Sequence, residues 1–245
     1  MKKQDWQQKG AGHRARLRDK FLEIGAEGFS DAEVLELLLS FGTPRTDCKE
    51  PARLALKKFG SFSAVLEAPR EALLRIPGIG PKNSFAINFV QAVSRRYLRQ
   101  RLIGRTFLRS SNEVRDYLLH SMRDLPREVL TVIFLDSAHT VLTSEILAEG
   151  TINVNTVYPR EIVKRALELN AAALIVAHNH PSGSMNPSPQ DLHLTRSLAL
   201  LCSMMHIALL DHFIIGEGAY SFADQGVMAT IQEDVAKTLS QTAAL

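Results

Sequence analysis

The stretch Ala171–Asp191, AAALIVAHNHPSGSMNPSPQD, decides the fold of the second half of this chain. Ala171–Ala177 is short, uncharged and β-branched at Ile175 and Val176, which predicts a buried strand. Residues two apart on a strand face the same way, so His178 and His180 at its end turn their imidazoles to one side. Pro181 cannot continue a central strand, and Ser182-Gly183 turns the chain. Ser188-Pro189-Gln190-Asp191 then reads as a helix start, with Ser188 as N-cap, Pro189 at the first helical position and Asp191 in the first turn. Such a strand, turn and helix can return the Asp191 carboxylate towards the two histidines. Two imidazoles and a carboxylate suit zinc, and three protein ligands with one open position describe a catalytic rather than a structural site. On the residues alone a plainer reading stands beside this one. Ser188 and Asp191 also fit a capping box with Asp in place of Glu, and a histidine at a strand end is commonly a satisfied polar residue.

Working outward, the chain has 245 residues and is 45% hydrophobic, enough for a packed core in one large domain or two modest ones. No apolar run reaches transmembrane length, and the polar start MKKQDWQQKGAGHRARLRDK lacks signal-peptide architecture, so no membrane association is expected. Cys48 and Cys202 are the only cysteines and form no C-x-x-C pair. A disulfide framework and a cysteine zinc finger are therefore unsupported, and a reducing cytoplasm is the expected location. The net charge of +3 is unevenly spread: residues 1–105 carry 20 Lys and Arg against 11 Asp and Glu, and residues 106–245 carry 9 against 15. A basic front and an acidic back suggest two modules, of which only the front is charged like a nucleic-acid binder.

Residues 1–20 include Lys2, Lys3, Lys9, Arg14, Arg16, Arg18 and Lys20 and read as a basic arm, either a phosphate-binding tail or a solvated helix face. From Ser30 the pattern is helical. Ser30-Asp31-Ala32-Glu33 is a capping box, and further helices are expected over about 50–59, closed by Gly60, over 61–67, from Pro69 to Arg75, and from about Lys82 to Leu102. Residues 103–110 read as a linker, so the domains expected are 1–102 and 111–245. In the second, helices at 111–122, 158–169, 188–205 and 227–241 interleave with strands at 129–135, 141–148, 206–216 and 219–223, an α/β arrangement. No internal repeat or low-complexity segment appears.

Two resemblances sharpen this reading. Ile76-Pro77-Gly78-Ile79-Gly80-Pro81-Lys82 resembles the helix-hairpin-helix motif, with core h-x-G-h-G. Gly78 and Gly80 would permit a tight turn and close approach, backbone N–H groups at the next helix start would meet a phosphate oxygen, and Lys82 would add charge. DNA contacts of that kind are sequence-independent and salt-sensitive. The alternative is a mere connection between two helices. The second resemblance is to the JAMM motif of MPN-domain zinc metallopeptidases: H-x-H-P, six residues, Ser188, two residues, Asp191. HNHPSG followed by PSPQD is, more narrowly, similar to the RadC family, and the likeness covers roughly Glu27 to the end. Asn179 departs from the Ser or Thr of the peptidases, and should face away from the ligands.

The resemblance implies an N-terminal all-α helix-hairpin-helix domain followed by an MPN α/β domain with a mixed sheet flanked by helices. It implies one Zn2+ per chain on His178, His180 and Asp191. It implies Glu128, in the context Pro126-Arg127-Glu128-Val129-Leu130 before the first buried strand, as general acid/base, with Glu145 and Glu149 as rivals. It implies Ser188 as hydrogen-bond donor to an oxyanion. The activity expected is zinc-dependent cleavage of a peptide or isopeptide bond in an unknown protein or peptide substrate, with DNA held by the N-terminal module. A DNA repair or recombination accessory, its zinc domain non-catalytic or acting on a bound protein, is the alternative, and a metal-dependent phosphodiesterase ranks below both. Asp211-His212 reads as two separate core or edge contacts, because adjacent strand residues face opposite sides. Zinc nucleobase deaminases are excluded by the missing P-C-x-x-C, and HNH in consecutive letters is not the dispersed HNH nuclease motif.

Overall fold

The computed structural model describes residues 3–43, 46–150 and 158–242, the side chains of 3–11, 107–111 and 242 excepted. It divides into two compact units, 1–94 and 95–245. Among the described residues no helix is long and apolar enough to cross a membrane.

The first unit is all helical. The basic stretch forms α1 (Lys3–Ile24), where Lys20 bonds Glu33 at 2.9 Å, Arg14 bonds the Thr46 carbonyl, and Arg16 and Arg18 stay exposed. Lys2 and the side chains of Lys3 and Lys9 lie outside the described residues. The capping box at Ser30 forms as expected and starts α2 (Asp31–Gly42). Next come α3 (Lys49–Phe59), stopped by Gly60 in the left-handed conformation, α4 (Phe62–Glu67) with Ser61 as its cap, and the single turn α5 (Arg70–Leu73). Leu35, Leu39, Ala52, Ala55, Val65, Leu73, Ile76, Ile79 and Ile87 fill the core. The Ile76–Gly80 hairpin enters α6 (Pro81–Leu102). Gly78 has φ +86°, and a Cβ there would lie 2.4 Å from the Pro51 ring, so its glycine is required by both conformation and space.

The last residues of α6, from Arg95, belong to the second unit. Within 103–110, Gly104 N donates to the Val141 carbonyl and Val141 N to the Arg105 carbonyl, both at 2.9 Å, and α7 (Phe107–Met122) begins four residues earlier than the pattern predicts. The sheet has five strands in the order β2-β1-β3-β4-β5. Its strands are β1 (Val129–Leu135), β2 (Val141–Glu149), β3 (Ala173–Asn179), β4 (Ala208–Ile215) and β5 (Ala219–Ser221). The β3–β4 pair is parallel, joined through α9 (Pro189–Met204), and the other pairs are antiparallel, so the sheet is mixed as expected. Strands β1 and β3 are buried along their whole length because helices cover both faces. On one face α7 packs on Ile133, Leu135, Ile175 and Phe213. On the other, α8 (Pro159–Glu168), α9 and α10 (Val227–Thr242) cover Leu130, Val132, Phe134, Val176 and Ile214. Strand alternation puts His178 on this second face, beneath the start of α9.

Candidate metal centre

β3 runs two residues further than its apolar run, so His178 and Asn179 are within the strand, and His180 N still bonds the Ile215 carbonyl at 2.8 Å. Pro181 then ends the ladder. Ser188 caps α9 and Pro189 opens it, which puts Asp191 at the third helical position. The capping box is real: Asp191 Oδ2 accepts from Ser188 N at 2.6 Å, and Asp191 N donates to Ser188 Oγ at 3.2 Å. The carboxylate does more than cap, because its Oδ1 is 3.0 Å from His178 Nε2 and its Oδ2 is 3.6 Å from His180 Nε2. The two Nε2 atoms are 2.9 Å apart. Thus His178, His180 and Asp191 offer one ligand atom each in a single cluster.

Donor chemistry tests whether a cation fits here. His180 Nδ1 is 3.1 Å from the Ser184 carbonyl, an acceptor only, so Nδ1 carries the proton and a neutral His180 presents a lone pair at Nε2. Asp191 Oδ2 takes the Ser188 backbone N–H at 2.6 Å, a hydrogen bond that favours the ionised carboxylate. Lone pairs and negative charge therefore converge on one point, which a cation satisfies. A tetrahedral ion with bonds of about 2.0–2.2 Å spaces its ligands about 3.3 Å apart, close to what these atoms show.

The residues around the cluster divide by strand face. Asn179, fully buried, looks away from the ligands, as expected. Its Oδ1 accepts from Val129 N at 2.8 Å and its Nδ2 donates to the Leu125 and Arg127 carbonyls at 3.3 and 3.1 Å. These bonds bracket Glu128. The β1–β3 register pairs Leu130 with His178, so extending it two residues sets half-buried Glu128 opposite His180, on the face that His178 occupies. The rivals are otherwise engaged: Glu145 takes both arms of Arg165 at 2.9 and 2.8 Å, which holds its pKa down, and Glu149 is exposed beside Arg127. Gly78, Gly80 and Lys82 belong to the first unit; Lys82 and Gly78 are exposed, while Gly80 N already donates to Asn83 Oδ1 at 3.3 Å.

Asp211 and His212 do face opposite sides. Asp211 anchors the end of β5, accepting from Ser221 Oγ at 2.5 Å and Ala223 N at 2.9 Å, and burial pushes its pKa up. His212 is not a simple core contact, however. Its Nε2 lies 2.9 Å from His178 Nδ1, and its Nδ1 lies 2.6 Å from Thr195 Oγ1, which in turn is 2.6 Å from the Asp191 carbonyl. Full burial drives the His212 pKa far down and keeps it neutral. The parallel pairing of Val176 with His212 creates this contact, and no local pattern marks it. His193 is exposed on α9 and His13 pairs with Glu36 in the first unit.

Comparison with known proteins agrees with this architecture. Residues 108–227 match the model of a RadC-like JAB domain, and residues 9–85 match a UPF0758 N-terminal region. A UPF0758 protein of Azotobacter vinelandii is 45% identical over 212 residues, covering 86% of this chain and 95% of the relative. One from Photobacterium profundum is 43% identical over 213 residues, with the same coverage of both. Likeness of this extent and level shows that the chain belongs to the UPF0758 family, and in it that N-terminal region is followed by a RadC-like JAB domain.

Proposed function

We propose that the protein is a zinc-dependent hydrolase of peptide or isopeptide bonds. The observation that carries this reading is the convergence of the Asp191 carboxylate and the His180 Nε2 lone pair on His178 Nε2, with His180, its side chain 14% exposed, the most open of the three. An N, N, O set with an open fourth position suits zinc, which supplies a Lewis acid and lowers the pKa of water to about 7. Glu128 takes the proton that attacking water loses and hands it to the departing amine nitrogen, so that the C–N bond breaks without expelling an anion. Its backbone is fixed for this by the Asn179 clamp and by Gly150 N, which donates to the Glu128 carbonyl at 2.8 Å. Ser188 Oγ accepts from Asp191 N, which leaves the hydroxyl proton to donate to the oxyanion that forms at the carbonyl.

The test is zinc content per chain of the purified protein beside His178→Ala and Asp191→Ala. About one zinc in the wild type, lost in both variants, supports the reading and justifies a peptidase screen. In that screen Glu128→Gln should keep its zinc and lose roughly 10²–10⁴ in turnover. A zinc-free wild type that zinc does not stabilise would sink the proposal.

A second role, backbone contact with DNA by the first unit, is supported by its basic balance, 15 Lys and Arg against 11 Asp and Glu over 1–94, and by exposed Gly78 and Lys82 at the start of α6. Gly80 N–H, taken by Asn83, is not part of it. Affinity for DNA should fall steeply with salt, and Lys82→Ala should lower the salt slope by about 1. No binding at low salt would remove this role. Cys48 and Cys202 are buried free thiols, the latter pushed up to about 12 by burial, which suits a reducing cytoplasm.

A further inference from the structure

We propose that His212 and Thr195 are positioning residues of the metal centre, which hold His178 in the tautomer that presents an unprotonated Nε2 to the ion. This rests on the metal reading above and goes beyond it, since neither residue is a ligand.

The proton positions follow from one group that has no choice. The Asp191 carbonyl can only accept, so Thr195 Oγ1, one helical turn on and 2.6 Å away, donates to it. The Thr195 oxygen is then left with lone pairs, and His212 Nδ1 at 2.6 Å must donate to them. A neutral imidazole protonated on Nδ1 has its lone pair on Nε2, which accepts from His178 Nδ1 at 2.9 Å. His178 therefore keeps its proton on Nδ1 and its lone pair on Nε2. All three residues are 1% exposed, so water is not at hand to replace a missing partner.

The consequence is specific to this site. His178 Nε2 is only 3.0 Å from Asp191 Oδ1. Protonated there, His178 would make an ordinary hydrogen bond to the carboxylate, and the cluster would hold a proton in place of a metal. The relay puts that proton at the other nitrogen. It also closes a ring, because Asp191 contributes its side chain to the ion and its carbonyl to the far end of the relay. Metal-bound histidines most often donate their second nitrogen to a carboxylate, a carbonyl or water. Here the acceptor is a second histidine, whose own tautomer has to be fixed as well, and Thr195 does that.

The experiment compares wild type, Thr195→Val and Thr195→Ser in the full chain. Long-range 1H–15N correlation of the metal-free imidazoles at pH 8 reads the tautomers, and chelator competition reads Zn2+ affinity. In the wild type, His178 and His212 should both be protonated on Nδ1. Thr195→Val, which keeps the shape and loses the hydroxyl, should mix the tautomers and weaken Zn2+ binding roughly 10- to 100-fold. Thr195→Ser should restore both. A merely structural Thr195 would alter stability and leave the tautomers alone. Wild-type His212 protonated on Nε2 overturns the proposal, and needs no variant to fold. So does Zn2+ binding by Thr195→Val as tight as that of the wild type. Failure of the wild type itself to bind Zn2+ would instead overturn the metal reading, and the positioning role with it.

Discussion

Helix α6 is entered through Gly80-Pro81-Lys82-Asn83 and helix α9 through Ser188-Pro189-Gln190-Asp191. In both, the fourth residue reaches back to the first: Asn83 Oδ1 accepts from Gly80 N at 3.3 Å, and Asp191 Oδ2 from Ser188 N at 2.6 Å. The difference lies in what is left over. Asn83 spends the rest of its capacity inside its unit, accepting from Thr43 Oγ1 at 2.7 Å and donating to the Leu39 carbonyl at 2.7 Å. Asp191 has no donor to spend, and its remaining lone pairs meet two imidazole nitrogens. A capping residue becomes part of a candidate metal site when it carries charge and surplus lone pairs, and when a neighbouring strand aims more lone pairs at it. The cap itself is common to both.

The comparison breaks most sharply if Asp191 is made like Asn83. An Asn side-chain oxygen can accept from Ser188 N as the Asp191 carboxylate does, so Asp191→Asn should leave metal-free stability within about 1 kcal/mol. Zn2+ affinity should fall more than roughly 100-fold, beyond what loss of an outer partner costs. Chelator competition and denaturant unfolding measure the two, and equal Zn2+ affinity would show that charge is not what distinguishes α9. Next in size is Ser188→Gly, which gives α9 the residue that enters α6. Glycine caps cost only a few tenths of a kcal/mol, whereas loss of an oxyanion donor costs about 10²–10³ in turnover. Stability and rate should therefore separate, and a rate within twofold of wild type would exclude Ser188 from the chemistry.

The reverse exchange, Asn83→Asp, should bind no metal and should destabilise the first unit by about 1–3 kcal/mol. It removes one of two donors to the Leu39 carbonyl, which keeps Thr43 N at 3.1 Å, and buries an uncompensated charge. Urea unfolding followed in the first unit would detect it. The smallest effect belongs to the third cap of this kind, at α2. Ser30 N, then Lys20, hold the Glu33 pKa at about 2, against an ordinary 4.5. A lowered carboxylate pKa favours the folded state, so its contribution is complete above about pH 4.5. It shrinks as pH falls and is gone below about 2. Glu33→Gln should flatten the pH dependence of stability in that window, by an amount that salt reduces because the pair is exposed.

Much of this was legible before the structure. β1 and β3 read as apolar runs because both faces are covered, and the caps at Ser30 and Ser188 read from residue types at fixed spacing. Asn179 was legible as facing away from the ligands, but its grip on residues 125–129 needs the antiparallel register of β1 and β3. His212 escaped for the same kind of reason. Alternation along β4 separates it from Asp211 without telling which of the two meets β3, and only the parallel register does that. Thr195 carries no mark at all, since a hydroxyl bonded to the carbonyl four residues back is ordinary in helices. The start of α7 at Phe107 was missed because Gly104 and Arg105, which look like a flexible join, bond to Val141.

One consequence lies in where the parts of the candidate centre sit along the chain. His178, His180, Asp191, Thr195 and His212 all belong to the single crossover β3–α9–β4, so that one supersecondary unit contains every ligand and the relay behind them. Glu128 comes from outside it, just before β1, and its neighbours Arg127 and Val129 are tied to β3 by Asn179 beside the β1–β3 ladder. Under the proposed function, metal binding and proton transfer thus fall to different pieces of the chain. On that reading, loosening the Asn179 bonds would leave the ligand cluster in place and displace the acid/base carboxylate, so that metal content and turnover separate.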